Sequence, residues 1–197
     1  MREYTIPCVN SADWAKVQAM SIDECRWSPN KAPAAEVKAM LVEGEALMFL
    51  VKSFATPARA ENTLPDSSVW EDSCLEAFFS FDGVNYVNLE VNANSALRAS
   101  VGTERHGRKF LKDMGITMPR VEARVVEDGW QVQFTVPVET IKAIWNLDIV
   151  PGTSFRANFY SCGDKTPVPH YASWSPIDTE KPDFHRPEYF GIVNIAK

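Results

Sequence analysis

The sequence predicts an all-β sandwich with a few short helices, and three observations lead there. Apolar and polar residues alternate at period two in many short runs, and turn residues such as Glu43-Gly44, Asp82-Gly83 and Glu127-Asp128-Gly129 recur between them. Stretches of helical period are too few and too short for an α/β fold. A chain of 197 residues is long enough for one well-buried domain and short for two. No internal repeat, low-complexity tract or linker divides it, so one domain over residues 1–197 is expected.

Residues 4–9 read as a strand, after which Asn10 or Ser11 caps an expected helix over residues 12–20. Cys25-Arg26-Trp27 leads into the Pro-rich connection SPNKAPAA. Residues 36–42 and 46–54 form a hairpin about Glu43-Gly44. The polar stretch ATPARAENTLPDSS follows, a long loop of the sort that often carries function, and it delivers the chain to Trp70. Residues 96–101 continue as strand, and residues 103–114 read as a helix or a loop. Residues 121–126 and 130–136 are strands about Glu127-Asp128-Gly129. Pro137 then opens a short helix over Val138–Trp145. Residues 154–162 alternate again, and Gly191–Ile195 closes the chain as a strand. The intervening segment is too rich in proline for a regular central strand, which puts Trp174 in a loop or at a sheet edge.

The chain is organised around the stretch VWEDSCLEAFFSFDGVNYVNLEVN, residues 69–92. Residues 74–81 and Tyr86–Asn92 alternate on either side of Asp82-Gly83 and read as a β-hairpin. Leu75, Ala77, Phe79 and Phe81 point one way with Val87, Leu89 and Val91. Glu76, Asn88, Glu90 and Asn92 point the other, and Trp70 stands just before the hairpin, where its indole overhangs that polar face. A flat ring beside carboxylates and amides suits a sugar: the ring takes the apolar face of a pyranose and the polar groups take its hydroxyls. Trp174 is a second aromatic that could form an opposing wall, and Arg98 and Arg156 are candidate partners for the two carboxylates. Core packing for each Trp, and a structural ion-pair set for the charges, stay open beside this reading.

Composition narrows the alternatives. A formal net charge of −6 with no compensating basic block argues against nucleic acid, and the basic residues at 105–112 read as a solvated helix face. No run reads as a signal peptide or a membrane span, so no membrane association is expected. The expectation is a soluble, cytoplasmic protein as written, or a secreted or periplasmic one if a leader preceded it. The four cysteines (Cys8, Cys25, Cys74 and Cys162) lack any CxxC pairing and read as small buried hydrophobes. The three histidines are not closely spaced, so neither a metal nor another cofactor is expected. No Gly-rich phosphate cradle or GxSxG element is present.

Several motifs together resemble the family 9 carbohydrate-binding modules, sandwiches of the DOMON-like superfamily. They are WEDSCLE (70–76), YVNLEVNAN (86–94), RANFYSCGD (156–164), HYASWSP (170–176) and PDFHRPEYFG (182–191). The resemblance implies an immunoglobulin-like β-sandwich that binds a mono- or oligosaccharide without catalysis, between two tryptophans matching Trp70 and Trp174. It maps the hydrogen-bonding Glu to Glu76 and the polar residues of the next strand to Glu90 and Asn92. Asp72-Ser73 sits one position earlier relative to Glu76 than in the sugar-binding members, and Glu90 stands where they carry a basic residue. Some members hold structural calcium, though no acidic loop here demands it. The expected ligand set is Trp70, Glu76, Asn88, Glu90, Asn92, Arg98, Arg156 and Trp174. The rival readings are a small glycosidase using Glu76 and Glu90, a haem-binding sandwich drawing on His106, His170 or His185, and a scaffold whose polar face meets a protein.

Overall fold

A computed structural model describes residues 1–29 and 31–197, so Asn30 of the Pro-rich connection lies outside the described residues. Two sheets pack face to face as a sandwich. The eight-stranded sheet is built from β1 (Glu3–Ile6), β6 (Cys74–Ser80), β7 (Tyr86–Asn92), β8 (Leu97–Gly102), β9 (Lys109–Phe110), β12 (Ser154–Gly163), β13 (His170–Ser173) and β14 (Gly191–Ile195). Its order is β1-β14-β12-β6-β7-β8-β9, with β13 paired to β12. The six-stranded sheet holds β2 (Cys8–Val9), β3 (Met20–Ser21), β4 (Ala35–Val42), β5 (Ala46–Ser53), β10 (Arg120–Val126) and β11 (Gly129–Pro137). It runs β10-β11-β5-β4-β2, with β3 paired to β4.

The expected hairpins form about the expected turns. Cys74 to Phe79 pair antiparallel with Asn92 to Val87, and β4 pairs with β5 along its whole length. The helix α1 (Val138–Trp145) follows Pro137 as its spacing predicts, and Asn146 ends it in the left-handed conformation. Between the sheets, Leu75, Ala77, Phe79, Val87, Leu89 and Val91 meet Val37, Phe49, Val51, Val132 and Phe134. Phe49 bridges the layers, with its ring 5.9 Å from Phe79 and 5.2 Å from Phe159.

Three local expectations change. The first strand splits at Pro7, so β1 runs parallel to β14 in one sheet while β2 runs parallel to β4 in the other. A proline cannot donate to a ladder, and here it marks the crossing from sheet to sheet. The helix expected over residues 12–20 is a single 3-10 turn, Trp14–Lys16, capped by Asp13 rather than Asn10 or Ser11. The chain then re-enters the sheet as β3, because Met20 finds a partner in Val37. The basic stretch at 105–112 is no helix face: it contains β9, followed by the 3-10 turn Leu111–Met114, and it folds back along β8. Among the described residues no helix is long and apolar enough to cross a membrane.

Candidate functional site

The outer face of the eight-stranded sheet is not open to water. Every residue of β6 and β7 is buried, because the 54–68 loop and the aromatic segment around 182–190 fold over them. The first of these covers is fastened by one carboxylate. Asp72 Oδ2 accepts from the backbone N–H groups of Glu61 (3.0 Å) and Asn62 (2.8 Å) and from the side-chain amides of Asn62 (3.1 Å) and Asn92 (2.8 Å). Burial alone would raise the Asp72 pKa, but these donors outweigh it and hold the carboxyl below its ordinary value. Asn92 also donates to the carbonyl of Asn62 at 2.7 Å. It is a buried anchor for the loop.

Between the two covers lies a cleft of about 350 Å³. Glu76 and Glu90 are direct cross-strand partners on its floor, and alternation turns both away from the core. Trp70 forms one wall, in the 3-10 turn Val69–Glu71 that leads into β6. Its carbonyl accepts from the N–H of Asp164 at 3.1 Å, so the indole is carried by a backbone tie to the end of β12. Tyr171 and Phe184 also line the cleft, and Phe184 stacks on Tyr160 with centroids 4.1 Å apart. Arg98 lies 5.1 Å from the Trp70 ring and 5.0 Å from Phe110, and donates to the Asp66 carbonyl at 2.8 Å.

Two adjoining buried carboxylates cannot both ionise cheaply. Burial pushes Glu76 well above the ordinary carboxylate range, and the charge of Glu90 adds to the push. Burial raises Glu90 too, against the pull of Arg108 and then Arg98. Glu76 therefore keeps its proton longer and can donate as well as accept. Asn88 lies beneath this pair. Its amide donates to Glu90 at 2.7 Å, while its carbonyl accepts from Ser100 (2.8 Å) and Arg108 (2.7 Å). Arg108 also reaches His185 Nδ1 at 2.8 Å. An arginine only donates, so Nδ1 accepts and the ring proton sits on Nε2. Burial, with Arg108 and Arg105 beside the ring, lowers the His185 pKa to about 2.

Four of the eight expected ligands, Trp70, Glu76, Glu90 and Arg98, meet in the cleft. Asn88 supports it from below, and Asn92 anchors its cover. Two stand elsewhere. Arg156 is exposed on β12, four residues (about 13 Å) from Tyr160, which pairs with Glu76. Trp174 is only 2% exposed and belongs to the core, 5.9 Å from Phe159 and tight against Gly191. The chain alternation that begins at His170 turns Trp174 inward, together with Ala172. Residues that the expected ligand set did not include, among them Arg105, Arg108, Asp164, Tyr171, Phe184 and His185, also line the cleft. Gly107, which interrupts the basic stretch, was the available sign that Arg105 and Arg108 do not share a helix face. His185 and Phe184 fall within the DFHR motif, in which only His185 carried a reading, as a candidate haem ligand.

Fold and site define a β-sandwich with a compact, aromatic-walled polar cleft on one sheet face. The chain belongs to carbohydrate-binding family 9, whose model matches residues 8–195. Comparison with curated proteins finds no match. Among solved structures, a Bacteroides uniformis protein assigned to carbohydrate binding superposes with TM-score 0.80 at 24% identity, covering 98% of this chain and 99% of that one. A family 9 carbohydrate-binding module from Caldicellulosiruptor kristjanssonii in complex with cellotriose superposes with TM-score 0.67 at 12% identity, over 99% of this chain and 94% of that one. The module from the same organism in complex with glucose gives 0.68 at 13%, over 100% and 97%. At these identities the structural likeness speaks for the fold.

Proposed function

We propose that the protein binds a mono- or oligosaccharide without catalysis, in the cleft above Glu76 and Glu90. The observation that carries the reading is the pairing of one half-buried indole, Trp70, with two adjacent buried carboxyls at the bottom of a sugar-sized cleft. Family membership and the sugars in the Caldicellulosiruptor kristjanssonii complexes support it. Trp70 stacks on the pyranose. Glu76, which holds its proton, donates to one hydroxyl, and Glu90 and Arg98 take others. Tyr171 and Phe184 supply the facing aromatic surface that Trp174, packed in the core, does not. Stacking and a few hydrogen bonds correspond to roughly −4 to −8 kcal/mol, millimolar to micromolar dissociation constants.

Calorimetric titration of glucose and cellotriose into the parent and Trp70→Ala tests this. The parent is expected to bind at least one of the two, and Trp70→Ala to bind at least tenfold more weakly with its near-ultraviolet circular dichroism unchanged. Equal affinity in the two proteins sinks the indole wall. The directly opposed carboxylates favour one second reading, a glycosidase. Turnover of an aryl glycoside that disappears in Glu76→Gln would replace binding with hydrolysis.

A further inference from the structure

Cys74 and Cys162 are far apart in the chain yet stand directly opposite each other on β6 and β12. Glu76 lies two residues beyond Cys74, on the same face of the strand. One donor atom from each of the three, two sulfurs and a carboxylate oxygen, lies within 4.8 Å of the others, and all three residues are buried. Cys162 Sγ is 3.1 Å from Glu76 Oε1, and neither cysteine is in a disulfide. Around a tetrahedral ion with metal–sulfur bonds of about 2.3 Å and metal–oxygen bonds of about 2.0–2.2 Å, ligand atoms stand roughly 3.4–3.8 Å apart. The trio therefore closes on an ion with side-chain adjustments alone. Cys162 and Glu76 line the cleft, so an ion held by the trio has an entrance from it.

We propose that Cys74, Cys162 and Glu76 form a binding site for a thiophilic divalent cation of the zinc class. Two thiolates and one carboxylate favour such an ion over calcium or magnesium, which take oxygen ligands. The metal-free trio avoids buried charge. Burial pushes the Cys74 thiol up to about 12, the hydrogen bond with Cys74 and burial raise Cys162, and Glu76 keeps its proton. Entry of the ion forms two metal–sulfur bonds and one metal–oxygen bond and releases the corresponding protons to solvent, so affinity rises with pH. A strand pair far apart in sequence supplies this donor set, which is why no CxxC spacing announces it.

The test uses the reduced full chain and cobalt(II) alone, with no sugar present, so it stands apart from the sugar reading. The parent is expected to take up one equivalent, with a thiolate-to-cobalt charge-transfer band in the near ultraviolet and the visible bands of tetrahedral cobalt, all displaced by zinc. Cys162→Ser is expected to abolish the charge-transfer band or leave less than half of it, and Glu76→Gln to weaken binding at least tenfold. The double variant Cys8→Ser/Cys25→Ser is expected to bind as the parent does, which keeps the test valid should Cys162→Ser not fold. No charge-transfer band in the parent, a full band in Cys162→Ser, or loss of the band in the Cys8/Cys25 variant overturns the proposal.

Discussion

Two hairpins of the molecule, β6–β7 and β10–β11, were equally plain in the sequence and live in different surroundings. In β10 exposure alternates or exceeds burial along the strand, and Val125 is 78% exposed at the sheet edge. In β6 and β7 no residue is exposed on either face. Both hairpins turn one apolar face to the same core, so the difference lies on the outer side. There the outer residues of β10 meet water, whereas β6 and β7 meet two folded-over segments that leave a cleft between them. A polar residue on an outer face costs nothing when water covers it. Covered by protein, it must find partners or change its protonation state. The covered face is therefore where the shifted carboxyls, the Asn88 and Asp72 networks and the cleft all gather.

Substitutions across these surroundings should grade accordingly. Trp174→Ala removes an indole from the inner side of the cleft-bearing sheet, and chemical denaturation is expected to register a loss of about 3–5 kcal/mol. That size of effect separates a core indole from a ligand wall. A loss below about 1 kcal/mol would return Trp174 to the surface role the sequence motif implied.

Glu76→Gln should act on the pH dependence rather than on stability at one pH. Burial and the charge of Glu90 hold the folded-state pKa of Glu76 well above the ordinary value of 4.5, so the folded chain holds a proton that the unfolded chain releases. Its contribution is complete below about pH 4.5 and is lost as pH rises toward the folded-state value. Glutamine cannot ionise. The variant should match the parent near pH 4 and be the more stable of the two by pH 8, as read from melting temperatures across that range. Parallel curves for the two proteins would mean that Glu76 is not held protonated.

Val125→Thr, at an edge position of β10 that is 78% exposed, is expected to change stability by less than about 0.5 kcal/mol. A larger loss would mean that something covers that edge as well.

How much could be read in advance follows the same division. Period-two alternation reports which face of a strand is apolar, and it located the partnered strands 35–42, 46–53, 74–80, 86–92 and 129–137 to within a residue or two. The same alternation put Glu76 and Glu90 on one face with Trp70 beside them, and these three line the cleft. It failed where a partner overrode local pattern. Residues 12–20 look helical by spacing, but Met20 is claimed by β4 and the helix shrinks to a turn. Trp174 looked like a loop residue because prolines surround it, yet the short strand β13 pairs with β12 and turns the indole into the core.

By itself the sequence determined the sandwich, its hairpins and the polar outer row Glu76, Asn88, Glu90 and Asn92, because a strand's two faces are written in neighbouring residues. Tertiary structure decided which of those polar residues face the cleft and which hold the protein together. It alone set Arg108 and His185 beside Asn88, took Arg156 away from the carboxylates and brought Cys162 against Cys74 and Glu76. The physical reason is range. Alternation is a local property of the backbone, whereas a covered face is assembled from segments that meet only after the chain has closed, and their charges take their character from that enclosure.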